Sequence, residues 1–318
     1  MEMKTMASVR LKTFEGFFVQ PIAEVHSCFR QCLGTPRQGL LVPSARASIA
    51  LTRNMSPESL DGLEEFSHVW LTFQFHLNGN SLKQARAFEG AEVVELDENG
   101  EVVKKNSNKF TFIAKITPPM LKEKKGVLAT RSPHRPNPIG VTLAKIEAVD
   151  KKNRCLVVSA CDLIEGTPIL DIKPYVPDYD NVAPYRVPMW IAETIETRNE
   201  VIVSEKAREG AKRIQKQLRQ FKNDFEPFLK ALVETLEADV RSKFQTKKRI
   251  EDSTKGIRVE VPFDEAMVLF FWKRETVIEV EDIVLARNFR KEEKEMLGIK
   301  IEDGEKEEGE NIGGGGSN

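Results

Sequence analysis

From Phe14 to about Tyr185, short apolar runs rich in Val, Ile, Phe and Thr are separated by Gly, Pro, Asn and Asp. That pattern predicts β-strands rather than helices. Val69-Trp70-Leu71-Thr72-Phe73-Gln74-Phe75 has the composition of a strand, and the stretch from Lys109 to Ile116 alternates in part, as a half-buried strand does. A hairpin is the clearest element: Val141 to Val149 alternates, Asp150-Lys151-Lys152-Asn153 turns, and the chain returns along Cys155 to Ala160. Residues 81–108 read as loop with one weak strand around Val93-Val94. Many short strands with few helical periods between them predict a mainly β fold, an antiparallel barrel or a sandwich.

Past Val187 the period changes. Ile214, Leu218, Phe221 and Phe225 recur at i, i+4, i+7 and i+11, the spacing of an amphipathic helix. Pro227 interrupts the series, and Leu232, Leu236 and Val240 restart it, which predicts two helices or one kinked helix. Apolar runs at Ile257 to Val261, Phe270 to Trp272 and Val277 to Val280 predict a small closing sheet. After Asn288 the chain is acidic and then glycine-rich, the composition of a solvated tail. The expected organisation is a barrel over residues 14–185, a basic helical segment over 186–250, a small β segment over 251–288 and a tail over 289–318.

Hydrophobic residues at 40 % and charged residues at 31 % of 318 positions exclude a mostly disordered chain. No apolar run approaches the roughly 20 residues that a bilayer span needs, and residues 1–18 lack the layout of a signal peptide. Cys28, Cys32, Cys155 and Cys161 form no CxxC pair, so a reduced, cytoplasmic protein is the expectation. Net charge is −1, from 48 basic and 49 acidic residues, which rules out a uniform positive coat. Attraction to phosphate depends on local clustering, however, and residues 204–249 hold 13 basic against 7 acidic residues.

The chemistry-bearing segments follow. Gly-x-Gly steps occur only in the C-terminal glycine run, which excludes a Rossmann dinucleotide fingerprint. Gly34-Thr35-Pro36-Arg37-Gln38-Gly39 begins like a phosphate-binding loop but continues into Leu40-Leu41 where lysine and a hydroxyl residue belong. His68 and His76, eight apart, would share a face of one uninterrupted strand and with His134 could form a three-histidine zinc site. No cysteine or acidic cluster supports that reading, so isolated histidines and no metal are expected. Ala129-Thr130-Arg131-Ser132-Pro133-His134-Arg135-Pro136-Asn137-Pro138-Ile139-Gly140 packs two arginines and a histidine into a loop stiffened by three prolines. Fixing such a backbone lowers the entropy cost of holding polar groups ready for a ligand. Around the turn Gly166-Thr167-Pro168 lie Asp162, Glu165, Asp171, Lys173 and Tyr175, and Asp171 and Lys173 share one face of a strand.

These segments, together with Thr35-Pro36-Arg37-Gln38, Gly62-Leu63-Glu64-Glu65-Phe66-Ser67-His68-Val69-Trp70 and Phe75-His76, occur in an order that resembles the TsaA-like (TrmO, YaeB) family of tRNA methyltransferases. The resemblance covers about residues 14–181; Ser132-Pro133-His134 and Pro177-Asp178-Tyr179-Asp180 look like the eukaryotic branch. It implies an antiparallel β-barrel that binds S-adenosyl-L-methionine (SAM), not a Rossmann domain, followed by helices and a small α+β C-terminal domain. It also implies N6-methylation of an adenosine that already carries threonylcarbamoyl, next to the anticodon of threonine-decoding tRNA, by a homodimer with the SAM site near the subunit interface. Carried over residue by residue, the SAM positions are Arg37, Gln38, His76, Arg131, Leu143, Asp162, Leu163, Ile164 and Glu165. Asp171 is the candidate proton acceptor with Lys173 and Tyr175 beside it, and Arg135 and Asn137 are candidate substrate contacts. Bacterial members carry Asp-Pro-Arg-Pro in the C-terminal domain; Asp239-Val240-Arg241-Ser242 keeps the charged pair, Asp239 and Arg241, without the prolines. The alternative is a noncatalytic tRNA-binding barrel.

Overall fold

Strict alternation of buried and solvent-facing residues builds the first sheet. In β1 (Ala23–Ser27), β2 (Arg46–Leu51) and β3 (His68–Gln74), every second side chain is buried: Ala23 and Val25, then Ala47, Ile49 and Leu51, then Val69, Leu71 and Phe73. The computed structural model describes residues 19–32, 34–77, 95–96, 102–104, 113–118, 121, 123–196, 198–238 and 243–287. Two short hairpins follow β3, pairing β4 (Glu95–Leu96) with β5 (Val102–Lys104) and β6 (Lys115–Ile116) with β7 (Lys125–Gly126). Val93, Val94 and the expected strand residues 109–112 lie outside the described residues. β8 (Ile139–Asp150) and β9 (Cys155–Ser159) form the long hairpin, its turn held by the Asp150 carboxylate, which accepts from the backbone N–H of Asn153 at 3.0 Å.

With β10 (Pro168–Pro174) these strands close into a barrel in the order β1-β10-β3-β8-β9-β2, every pair antiparallel. Closure leaves no unpaired edge. The fold is therefore mainly β, with a closed six-stranded barrel as its first unit. Gly140 permits one tight contact in it: a Cβ there would lie 2.2 Å from Cζ of Phe73 on the neighbouring strand.

Beyond the barrel come α1 (Pro177–Asp180), α2 (Met189–Glu196), β11 (Glu200–Val203), α3 (Glu205–Ile214), α4 (Phe225–Glu237) and α5 (Lys243–Thr254). The closing sheet consists of β12 (Val259–Phe263), β13 (Ala266–Arg274) and β14 (Val277–Leu285), joined by β11 in parallel with β14. The pattern analysis missed β11, four residues too short to declare a period.

The helix expected from Ile214 to Phe225 is not continuous. α3 ends at Ile214, a 3₁₀ turn covers Gln215–Gln217, and residues 218–224 are non-helical. The cause is Asp264, a buried residue whose carboxylate accepts from the backbone N–H groups of Arg219 (3.2 Å), Gln220 (3.0 Å) and Phe221 (3.4 Å). Those donors are thereby diverted from helical partners. Leu218 and Phe221 are still buried, which explains why the apolar spacing survives the break. Pro227 does not interrupt a helix; it lies in the first turn of α4, where a missing N–H costs nothing.

The two units meet along residues 27–30. Phe29 bridges Ile164 on one side and Phe263 on the other, its ring 5.6 Å from that of Phe263. The backbone N–H of Asp264 donates to the carbonyl of Cys28 at 2.6 Å. Glu234 of α4 accepts from the backbone N–H and the hydroxyl of Ser44 at 2.8 and 2.9 Å. Among the described residues no helix is long and apolar enough to cross a membrane.

Candidate cofactor-binding site

One cluster draws on loops far apart in sequence. Gln38 sits at the start of the 3₁₀ turn Gly39–Leu41, and that turn packs against the barrel so closely that a Cβ on Gly39 would lie 1.8 Å from the carbonyl oxygen of Ala160. Only glycine fits such an approach. The contact presses the Arg37-Gln38 loop onto the strand end that leads to Asp162. Arg131, from the proline-stiffened loop, donates through Nη1 to Oε1 of Gln38, whose own amide donates to the Arg37 carbonyl at 2.6 Å. Asp162 accepts from the Thr142 hydroxyl at 2.6 Å. Burial pushes the Asp162 carboxyl up to about 6, while the Thr142 hydrogen bond and the charge of Arg131 oppose that rise.

His76 lies past the end of β3, which stops at Gln74, so it does not share a strand face with His68. A Cβ on Gly166 would stand 3.8 Å from its Nε2, which places the imidazole against the 165–166 turn. Burial holds the imidazole below the usual histidine range, with Glu24 and the Glu165 backbone opposing. His68 packs its ring 6.2 Å from that of Tyr175. Among the described residues no three His, Cys, Asp or Glu gather where they could hold a metal ion.

The loop residues after Asp162 have other tasks. Leu163 is buried in the barrel core, and Ile164 packs against the core of the C-terminal unit. Both carboxylate oxygens of Glu165 are engaged: Oε2 accepts from the Ser27 N–H at 2.7 Å and from Arg219 Nη2, and Oε1 from Arg219 Nη1 at 2.9 Å. His26 Nδ1 lies 3.2 Å from Oε1 and Arg30 Nη1 3.6 Å. Burial raises the Glu165 carboxyl, but Arg219, the Ser27 amide and His26 outweigh it and hold the group at about 2. Asp162 is thus the carboxylate of this loop that stands with Gln38 and Arg131.

Leu143, Asp171, Lys173 and Tyr175 form a separate group on the outer face of the barrel. Register sets Lys173 of β10 beside Trp70 of β3, and Trp70 beside Leu143 of β8. Two strand spacings therefore separate Lys173 from Leu143, about 10 Å. Asp171 pairs with Lys173 at 2.5 Å and accepts from the Ile172 N–H at 3.0 Å. The Tyr175 ring lies 6.2 Å from that of Trp70. Arg135 donates to the Thr130 carbonyl at 2.7 Å, and Asn137 is exposed. Asp239 and Arg241 lie outside the described residues.

Sequence reasoning missed Thr142 and Arg219. Thr142 had a signal, a polar residue between Gly140 and Ala144 on the inward face of a strand. Arg219 had none, because its partner is 54 residues away.

Residues 24–96 and 101–181 match the family described as tRNA-methyltransferase O N-terminal domain. A mouse tRNA (adenine(37)-N6)-methyltransferase is 42 % identical over 170 residues, 52 % of this chain and 32 % of that one. The match thus spans about a third of the mammalian relative. A Pseudomonas aeruginosa protein called putative S-adenosylmethionine-dependent methyltransferase RcsF is 36 % identical over 230 residues, 71 % of this chain and 83 % of that one. The crystal structure of TrmO from Pseudomonas aeruginosa superposes with a TM-score of 0.60 at 30 % identity, covering 86 % of this chain and 98 % of that one. Similarity that runs through the barrel and on along nearly all of a solved TrmO chain settles the relationship: this protein belongs to the tRNA-methyltransferase O family.

Proposed function

We propose that this protein transfers the methyl group of SAM to N6 of the threonylcarbamoyl-bearing adenosine next to the anticodon of threonine-decoding tRNA. One observation carries the reading: Arg131 bonds Gln38 and its charge reaches Asp162, which Thr142 bonds, although these residues come from four separate segments. The donor set suits the cofactor. Asp162 would accept from ribose hydroxyls or the ammonium, and Arg37 and Arg131 would grip the carboxylate. When bound, SAM supplies an electrophilic methyl group on a sulfonium centre. His76 lies against the 165–166 turn, its imidazole held below the usual histidine range by burial.

Methyl transfer is an in-line displacement in which positioning supplies much of the rate. The N6 lone pair is conjugated with the ring, so a proton acceptor helps, and Asp171 takes that role with Lys173 holding its carboxylate in place. Exposed Lys212, Arg213 and Lys216 on and after α3 meet the RNA backbone. A homodimer would cover the apolar side chains of Tyr179, Val182, Tyr185 and Met189, each more than 70 % exposed.

The test incubates the protein with SAM and tRNA carrying threonylcarbamoyladenosine, followed by nucleoside mass spectrometry. A one-methyl gain on that nucleoside, absent with unmodified transcript, is the expected result. SAM binding without any gain would overturn the substrate assignment, and tRNA binding without SAM binding would replace the enzyme by a noncatalytic tRNA-binding barrel.

A further inference from the structure

The segment that carries Asp162 is not held by the barrel alone. Its turn at residues 164–167 is tied to β1 and the segment just after it: the Gly166 N–H donates to the Val25 carbonyl and the Glu165 N–H to the Phe29 carbonyl, both at 2.8 Å. Its one anionic side chain beyond Asp162, Glu165, is gripped from the other unit by both Nη atoms of Arg219. Arg219 also donates through Nη2 to the Ser27 carbonyl at 3.2 Å, so it spans loop and strand together.

Arg219 is itself fixed twice over. Its backbone N–H donates to Asp264, and the next residue, Gln220, donates through its side chain to the His26 carbonyl at 2.9 Å. Asp264 is in turn joined to residues 27–30, because its carbonyl accepts from Arg30 Nε at 2.8 Å. A continuous polar path therefore runs from the Asp264 turn through Arg219 to Glu165, three residues from Asp162. A two-pronged guanidinium grip on a carboxylate fixes direction as well as distance, which a lysine cannot reproduce.

We propose that Arg219 is a positioning residue for cofactor binding: by clamping Glu165 it sets the geometry of the 162–166 turn, so the C-terminal unit must be seated for the barrel to hold SAM well. The inference rests on the methyltransferase reading above. Arg219 acts through Glu165 and does not itself touch cofactor or tRNA.

The experiment measures SAM affinity by calorimetry, and the KM for SAM and for tRNA, on full-length protein. Arg219→Ala is expected to weaken SAM about tenfold, the scale of a lost charged hydrogen bond. The KM for tRNA should stay unchanged, and Arg219→Lys should recover only part of the loss. In a Glu165→Gln background, Arg219→Ala should cost little more, because both substitutions break one linkage. Unchanged SAM affinity in Arg219→Ala would overturn the proposal, as would losses that simply add in the double variant. A rise confined to the KM for tRNA would overturn it too, making Arg219 a phosphate contact. Should Arg219→Ala not fold, Arg219→Lys and Glu165→Gln carry the same comparison. Wild-type protein that binds no SAM would instead sink the methyltransferase reading itself.

Discussion

Thr142 donates its hydroxyl to Asp162 across 2.6 Å, a buried strand residue bonded to the carboxylate of the loop that follows β9. Burial raises that carboxyl from 3.8 to about 6, so in the folded protein it titrates just below neutrality. Two opposite pH effects follow. For stability, a raised acid favours the folded state below its ordinary range, and that contribution is lost as pH rises to about 6. In the proposed cofactor site the ionised form is the one that binds, so affinity should fall as pH drops through about 6. Calorimetry with SAM between pH 5 and 8 should show this, with Asp162→Asn weaker and flat across the range. Thr142→Val should move the midpoint up by about one unit, the equivalent of one hydrogen bond to a charged group.

Gly140→Ala should destabilise the barrel by about 1–3 kcal/mol, the usual cost of overpacking. The added methyl would sit 2.2 Å from the Phe73 ring, which is itself buried. Urea unfolding of Gly140→Ala and of the Gly140→Ala, Phe73→Leu pair provides the check. The smaller side chain at 73 should return part of the loss; equal losses would mean that the ring is not the obstacle.

Gly39→Ala should act differently. Its methyl meets the Ala160 backbone, 1.8 Å from the carbonyl oxygen, and no side chain can swing aside. The Arg37-Gln38 loop must then lift from the strand that leads to Asp162. SAM affinity should drop at least about tenfold, because misplacement by about 1 Å is enough for that. Retained affinity would show that the two loops need not touch to bind.

Asp171→Asn keeps size and removes the proposed proton acceptor, together with most of the pairing to Lys173 at 2.5 Å. SAM affinity should be unchanged, because the Asp171 carboxylate bonds Lys173 and the Ile172 N–H, whereas Gln38 bonds Arg131 and Asp162 bonds Thr142. Turnover should fall by about 10²- to 10⁴-fold, the usual range for a lost general base. Unchanged single-turnover methylation would remove Asp171 from the chemistry.

Replacing Lys212, Arg213 and Lys216 by glutamine should weaken tRNA binding and flatten its dependence on salt. Each phosphate contact contributes a little under one to the slope of log K against log salt, so three lost contacts reduce it by about 2–3. These side chains are exposed, and folding should be unaffected. An unchanged slope would mean that tRNA binds elsewhere.

Local pattern made the barrel strands readable because the β-prone composition of β3 and the alternation in β8 are properties of adjacent residues. The β8–β9 hairpin needed nothing beyond its turn chemistry. What stayed hidden depended on distant partners. The break after Ile214 is set by Asp264, and β11 exists because β14 offers it an edge. At the site, the resemblance named Glu165 among cofactor positions, but no sequence reading could tell that Arg219 already occupies its carboxylate.

The same Asp264 carboxylate has a consequence for how the protein comes into being. It accepts three backbone N–H groups that lie more than forty residues earlier, so the chain around Arg219 has no local reason to adopt its final path. Domains emerge from the ribosome N-terminal end first. The barrel strands are complete at Pro174, yet Glu165 must wait for its guanidinium until translation has passed Asp264. All six barrel strands are therefore synthesised before the Asp264 brace, which completes a loop made ninety-odd residues earlier.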